Sequence, residues 1–318
     1  MIKYIAKRLI DLIPVLIIIS IVLFALNEAM PGNPVDLLMP TSIQNETQRQ
    51  ELRKVLEERY NLTGPIHERY AGWVGRMFSG ELGESTKYQR PVNQVLGTPL
   101  RNTLILNLGS TIIAFVLSVI IGIKSAVRRG SFYDKFWQVF SLAGISLPTF
   151  FSGMMLIYFL AIKKSWFPPG MMPINNDIGT WIKHLILPTI TLTIGSLAST
   201  SRYVRNAMLN ALNQDYIRTA RAKGLSETKV IYSHAFRNAL IPVVTVVTWN
   251  IMSLLSGAAI TETLFAYNGI GKYFIESILA RDYNVIMALN MMYALITVFG
   301  NLVMDIGYSL VDPRVRLE

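Results

Sequence analysis

Six apolar runs, each long enough to cross a bilayer, set the terms for this chain: Leu9–Leu26, Leu100–Ile123, Phe136–Ile162, His184–Tyr203, Asn238–Ile260 and Val285–Tyr308. The hydrocarbon core is about 30 Å thick and takes about 20 helical residues to span, and a helix satisfies every backbone polar group internally. The pattern predicts an all-α integral membrane protein with six transmembrane helices. Composition agrees, with 52% hydrophobic and only 16% charged residues, which is far from a soluble domain.

The formal net charge of +10 would suit a nucleic-acid partner if it formed a patch. Instead the lysines and arginines fall in the short segments between apolar runs, where they orient a protein among membrane lipids. No nucleic acid is expected. The first run follows Lys3, Lys7 and Arg8 and is broken only by Asp11 and Pro14. No small-x-small cleavage site closes it, so it reads as a retained first helix with its N-terminus inside. With that start, the inner segments hold sixteen basic residues against five acidic, while the outer ones are nearly balanced. Cysteine is absent, which excludes disulfides and cysteine-ligated metal sites.

Between the first and second runs lies a polar region, with helical stretches near Glu46–Tyr60 and Ile66–Phe78 and glycines at 72, 75, 80 and 83 interrupting its second half. It is either a solvated spacer or part of a surface that receives a partner, and it should pack on the membrane domain. Pro148 interrupts the third run, where a helix loses a hydrogen bond and kinks. Ser253, Ser256 and Gly257–Ala259 are small enough to let helices approach closely.

The longest polar interruption in the second half is Asp215–Pro242. Arg218, Arg221, Lys223 and Lys229 make it basic, with Arg205 upstream. Tyr216 and Ala220 lie one helical turn apart, and Gly224 is suited to close the helix in the left-handed conformation. Ser226 then stands where it can cap a second helix, with Glu227 in its first turn and Val230, Ile231, His234 and Ala235 at helical spacing. By residue type alone the segment is also compatible with a basic helix lying on anionic lipid.

Chemistry-bearing constellations are sparse. No Gly-x-x-x-x-Gly-Lys-Ser/Thr loop occurs; Gly269-Ile270-Gly271-Lys272-Tyr273 lacks the upstream glycine and the hydroxyl. His67, His184 and His234 lie in separate segments with no acidic partner at metal spacing. Asp11 and Asp305 fall within apolar runs but near their inner ends, where an interfacial bond is expected rather than a proton relay.

Arg218-Thr219-Ala220-Arg221-Ala222-Lys223-Gly224-Leu225, followed by His234, Asn238 and Leu240-Ile241-Pro242, resembles the cytoplasmic ATPase-docking loop of ABC-importer permeases of the dipeptide/oligopeptide branch. The likeness runs nearly full length. It takes in Met30-Pro31-Gly32-Asn33-Pro34, Gly257-Ala258-Ala259, Glu262-Thr263-Leu264-Phe265, Asn268-Gly269-Ile270-Gly271, Arg281-Asp282-Tyr283 and Asp312-Pro313-Arg314-Val315-Arg316. Arg218-Thr219-Ala220 stands where the wider family has Glu-Ala-Ala, and Asn33 and Asn268 replace an aspartate and a proline of the branch.

The resemblance implies a type I ABC importer permease in the cell membrane, with a first transmembrane helix over residues 1–29, an external loop region over 30–99 and a five-helix core over 100–310. Within that core lies a docking loop at 205–237; a cytoplasmic tail covers 311–318. It implies a second homologous permease, two cytoplasmic ATPase subunits holding ATP and magnesium, and an external solute-binding protein, with no catalytic residue or cofactor on this chain. Asp215, Arg218, Ala220, Arg221, Lys223, Gly224, Leu225 and His234 would form the docking surface. In that role Ala220 and Gly224 would permit close approach, Arg218, Arg221 and Lys223 would supply polar contacts, and Pro242 would act as a structural hinge. The cargo implied is a di- or oligopeptide, with nickel chelates or oligosaccharides as alternatives. An ion-gradient-driven transporter would want deep carboxylates and inverted repeats; a receptor or scaffold would need no ATPase.

Overall fold

The computed structural model describes residues 2–30, 35, 38–40, 45–60, 62–173, 177–240, 254 and 258–311, with side chains described from Ile10 to Leu302 among these. In chain order the helices are α1 (Ile2–Ala29), α2 (Glu46–Arg59), α3 (Ile66–Phe78), α4 (Val92–Val127), α5 (Phe132–Ser146) and α6 (Thr149–Leu156), which widens into a π-helix over Ile157–Lys163. They continue with α7 (Ile178–Leu212), α8 (Asp215–Ala222), α9 (Glu227–Lys229, widening into a π-helix over Val230–Phe236), α10 (Ala259–Leu264), α11 (Ile270–Leu279) and α12 (Tyr283–Val311). Local chemistry places several starts. Asn45, Ser131 and Asp177 each accept a backbone N–H from the first turn of the helix they precede, at 3.0, 3.3 and 2.8 Å, which satisfies donors the helix leaves open.

The centre is a parallel pair, α4 and α7. Ser110, Ala114, Ser118, Gly122 and Ala126 recur every four residues of α4 and are all buried. Residues at that spacing share one helix face, and small ones let backbones approach. A Cβ on Gly122 would sit 2.7 Å from Val204. Thr193 Oγ1 donates to the Ser110 carbonyl at 3.4 Å, and Ser118 Oγ to the Leu197 carbonyl at 3.5 Å.

The chain between them, α5 and α6, returns antiparallel along α7. Arg205 meets Asp134, Ser201 meets Ser141, Ala198 meets Gly144 and Thr191 meets Gly153. The Phe136–Ile162 run, expected as one kinked span, is turned by 106° between Phe132–Ser146 and Thr149–Lys163. Pro148 forbids the helical bond there and restricts Leu147 to extended backbone, which it adopts. The bent pair still travels from one end of the molecule to the other, because Ala161 packs with Leu187 and Phe265.

Four described helices are long and apolar enough to span, Ile10–Ala29, Val92–Val127, Ile178–Leu212 and Tyr283–Leu302, and the bent pair makes up to five. The Asn238–Ile260 run and Pro242 lie largely or wholly outside the described residues, as do Ser253, Ser256, Gly257, the side chain of Asp305 and the tail from 312. One expectation is corrected. Gly72 and Gly75 do not break the chain but sit inside α3, leaving Gly80 and Gly83, both at positive φ, to end it. Residues 205–212, the first part of the segment expected as the docking loop, form the last two turns of α7.

The polar region folds back on the bundle. Arg69 pairs with Glu28 of α1, and the Tyr70 hydroxyl meets Ser20 at 2.7 Å. The turn after Gly83 grips the start of α12. Asp282, wholly buried, accepts the Ser85 hydroxyl and the N–H groups of Thr86 and Lys87, and Lys87 Nζ reaches Glu276 at 2.6 Å. Burial works to raise the Glu276 carboxyl, but the bonds from Lys87 and Tyr88 outweigh it and hold it below its usual value. A depressed carboxyl adds stability above its unfolded pKa and loses it as pH falls through the folded one. As pH falls through and below the ordinary glutamate range, the Thr86 and Lys87 amides are expected to lose hydrogen-exchange protection while the α4–α7 interior keeps it. Lys87→Met should weaken that dependence; an unchanged profile would show that this pair does not hold the turn.

Candidate functional site

The basic segment folds as two short helices around a corner. At the end of α8 the Gly224 N–H donates to the Arg221 carbonyl at 2.9 Å and the Leu225 N–H to the Ala220 carbonyl at 3.4 Å, with Gly224 at φ +74°. This paired pattern closes a helix through a left-handed residue, and Leu225 supplies its usual apolar contact. Ser226 takes the N-cap position of α9, yet its side chain makes no capping bond, contrary to the expectation from sequence. The corner is tied instead by Arg221, whose Nε donates to Glu227 Oε1 at 2.8 Å and whose second nitrogen reaches Oε2 at 3.3 Å. That bond holds the Arg221 guanidinium protonated even more firmly than usual.

The corner is anchored on the bundle. Ile217, Ala220, Val230 and Ala235 join Ile123 and Ala126 of α4 and Val204, Ala207, Met208 and Ala211 of α7 in one buried cluster, with Leu225 packed against it. Val230 and Ala235 lie five residues apart, the repeat of a π-turn, so the widened helix turns both inward where a regular α-helix would not. Ala220, 4% exposed, spends its small size inside this cluster. The outward surface carries Asp215, Arg218, Arg221, Lys223, Gly224 and Lys229, all exposed. Arg218 reaches Asp215 at a long 3.4 Å. His234 is half-buried, and its backbone carbonyl accepts the Asn238 amide at 2.7 Å.

Arg205, counted by sequence with the exposed charge, is mostly buried. Its guanidinium grips Asp134 at 2.6 and 2.8 Å, with Asp134 1% and Arg205 15% exposed. Asp134 Oδ2 also accepts the Gly130 N–H at 2.9 Å. This bidentate pair ties the start of α5 to the base of the knob. Sequence reading missed it, since the partners are 71 residues apart.

At the other end of α4 lies a second polar knot. Glu262 is wholly buried and accepts the Thr103 hydroxyl at 2.7 Å and the Lys272 N–H at 3.0 Å, and Thr103 in turn accepts the Ile270 N–H at 2.8 Å. Gly269 lies against the Glu262 carboxylate, and a Cβ on Gly271 would sit 2.6 Å from Ala259. Any larger side chain at either glycine would force the knot apart. Asn268 uses both its carbonyls, one for the Asn102 amide and one for Lys272 Nζ, each at 2.8 Å. The remaining histidines are placed by structure: His184 Nδ1 donates to the Met171 carbonyl at 2.8 Å, and His67 is exposed on α3. Among the described residues no cluster of three or more His, Asp or Glu is placed to hold a metal ion. What the basic knob offers is an exposed, positively charged surface packed onto two long helices.

Residues 118–317 match the family described as "Binding-protein-dependent transport system inner membrane component". The chain is 40% identical over 320 residues to the oligopeptide transport system permease protein AppB of Bacillus subtilis, covering 99% of this chain and 100% of that one. It is 37% identical to the di/tripeptide transport system permease protein DppB of Pseudomonas aeruginosa, covering 99% of each. A solved inward-facing structure of the MetNI methionine ABC transporter covers 67% of this chain and 95% of its own, at 18% identity and a TM-score of 0.49.

Proposed function

Because the chain belongs to the family of inner membrane components of binding-protein-dependent transport systems, we propose that it is a permease subunit of an ATP-driven importer of di- or oligopeptides. It forms half of a translocation pathway with a second, homologous permease. Two cytoplasmic ATPase subunits, which carry ATP and magnesium, dock on the basic knob, and an external solute-binding protein delivers cargo at the opposite end. The N-terminus lies inside. No catalytic step falls to this chain.

One observation carries the coupling role. The knob is held in shape by its glycine closure and the Arg221–Glu227 bond, and it is packed without a flexible joint onto α4 and α7. Force applied to such a surface reaches the spans, whereas a loose loop would dissipate it. Gly224, Arg218, Lys223 and the outer edge of Arg221 form the contact face, Asp215 steadies Arg218, and Leu225 and Ala220 act from behind it by packing. The peptide cargo is supported by the relatives' names.

Co-purification from the native membrane in mild detergent tests the reading. Recovery of a second permease and ATPases, with hydrolysis stimulated by peptide in the presence of the binding protein, is the expected result. A chain that reconstitutes peptide transport alone, without nucleotide, would overturn it.

A further inference from the structure

The outward face of α4 changes character near its end. Ile113, Leu117 and Ile120 share one side of the helix and are exposed. The next residue on that side is Lys124, and Arg128, the C-cap of α4, follows it by one turn. Both are exposed. Ile123 and Ala126, on the other side of the helix, belong to the buried cluster under the knob, so the two cations face away from it. No carboxylate answers them: neither Lys124 nor Arg128 joins an ion pair among the described residues. The acid of the α4–α5 turn, Asp134, is taken up by Arg205 and the Gly130 N–H. Lys124 Nζ lies instead over the ring of Tyr133, 4.5 Å from its centre, and Arg128 is near enough for its charge to act on the Tyr133 hydroxyl. Tyr133 in turn opens a group of touching rings, with Trp137 at 6.2 Å and Phe136 and Phe140 around it, and Phe132 beside them is exposed.

Cations and aromatic rings at the end of an apolar strip mark the level of the lipid headgroups. An ammonium held over a ring and a guanidinium beside it form an anion site whose parts are already in place, and guanidinium geometry matches phosphate oxygens. The strip that runs on from the cations requires that the anion carry a hydrocarbon chain. Inorganic phosphate would use the cations and leave the strip bare. A zwitterionic phospholipid would cover the strip but bring its own ammonium against Lys124 and Arg128. A phospholipid of net negative charge satisfies both parts. We infer that the outer side of α4 binds one anionic phospholipid, its phosphate between Lys124 and Arg128 and one acyl chain along Ile120, Leu117 and Ile113. The site requires that this face of α4 meet lipid and does not require an ATPase on the knob. It therefore goes beyond the importer reading, and the two stand or fall separately.

The test uses the whole transporter, with its partner permease and ATPases, purified in detergent. It is titrated with phosphatidylglycerol or phosphatidylcholine, each with and without inorganic phosphate, and bound lipid is counted by native mass spectrometry. Phosphatidylglycerol is expected to bind in preference to phosphatidylcholine, and the double variant Lys124→Gln/Arg128→Gln to weaken it about tenfold while leaving phosphatidylcholine unchanged. Arg129→Gln/Lys135→Gln is the control. It removes the same charge from the same turn but off the strip, since Arg129 lies past the end of α4 and Lys135, two residues on from Tyr133, is on the far side of α5; it should keep phosphatidylglycerol at the parent affinity. Thermal melting in phosphatidylcholine confirms that both variants are folded. Equal losses in the two double variants would replace the site with general charge attraction, and displacement of the lipid by millimolar phosphate would make it a site for the free anion. A Lys124→Gln/Arg128→Gln transporter that keeps its lipid but sheds its ATPases would assign the cations to a protein partner. Each of these overturns the inference. ATP-driven peptide uptake, measured on the parent, tests the importer reading alone, and its absence would leave the lipid results as they stand.

Discussion

Gly224→Val is expected to cut ATP-driven uptake at least tenfold while leaving the amount of protein in the membrane unchanged. Gly224 sits at φ +74°, a region that costs L-residues about 1–2 kcal/mol and is worst for β-branched ones. No atom lies within 4 Å of where its Cβ would go, so the whole effect is on the backbone of the corner. That corner aims Lys223 and Arg221 outward and sets α9 against the cluster below. Gly224→Asn is the control, since asparagine tolerates the left-handed conformation, and it should retain most of the transport. Uptake and ATPase activity measured in proteoliposomes give the answer. Full transport by the valine variant would remove the knob from the coupling mechanism.

The second large effect concerns the Asp134–Arg205 pair. Asp134→Ala leaves a mostly buried guanidinium without its counter-charge, and breaking a buried pair from one side costs about 3–5 kcal/mol. Arg205→Gln is expected to cost a comparable amount, and the double variant clearly less than the sum, because it strands no charge. Thermal unfolding in detergent reads all three. Strict additivity would mean that the two side chains do not depend on each other. The pair joins the α4–α5 turn to the base of the knob, so uptake should fall along with stability in the single variants.

The features legible in the sequence were those with a local cause. Apolar length gave the spans α1, α4, α7 and α12, and Gly224 marked the two-helix corner, although the cap expected from Ser226 is not made. The resemblance singled out Glu262, Asn268–Gly271 and Arg281–Asp282–Tyr283 without saying what they do; buried bonds between α4 and the α10–α11 turn, and between Asp282 and Ser85, supply the reason. Such contacts join residues up to 197 apart, and no periodicity encodes them. The inward turn of Ala220 was missed because four-residue spacing names a face without saying what covers it. The widened turn from Val230 to Ala235 was missed for a related reason: its i→i+5 bonding winds wider than the 3.6 residues per turn on which helical pattern reading depends. The stripe from Ser110 to Ala126 has a local cause too, small residues repeating every four positions.

Beyond Pro99 and Pro188, α4 and α7 run on without another proline to Val127 and Leu212, zipped side by side through small residues. Two parallel helices joined in this way resist bending far more than either alone, and the shared stretch is about 35–40 Å long at 1.5 Å per residue. A tilt of about 5° imposed on the knob would swing the far end of such a beam by about 3 Å, the width of a water molecule. The antiparallel arm of α5 and α6, by contrast, is turned by 106° at Pro148 and has no straight run of that length. A push on the knob would then reach the far side of the membrane as a displacement of the whole beam rather than as a local bend.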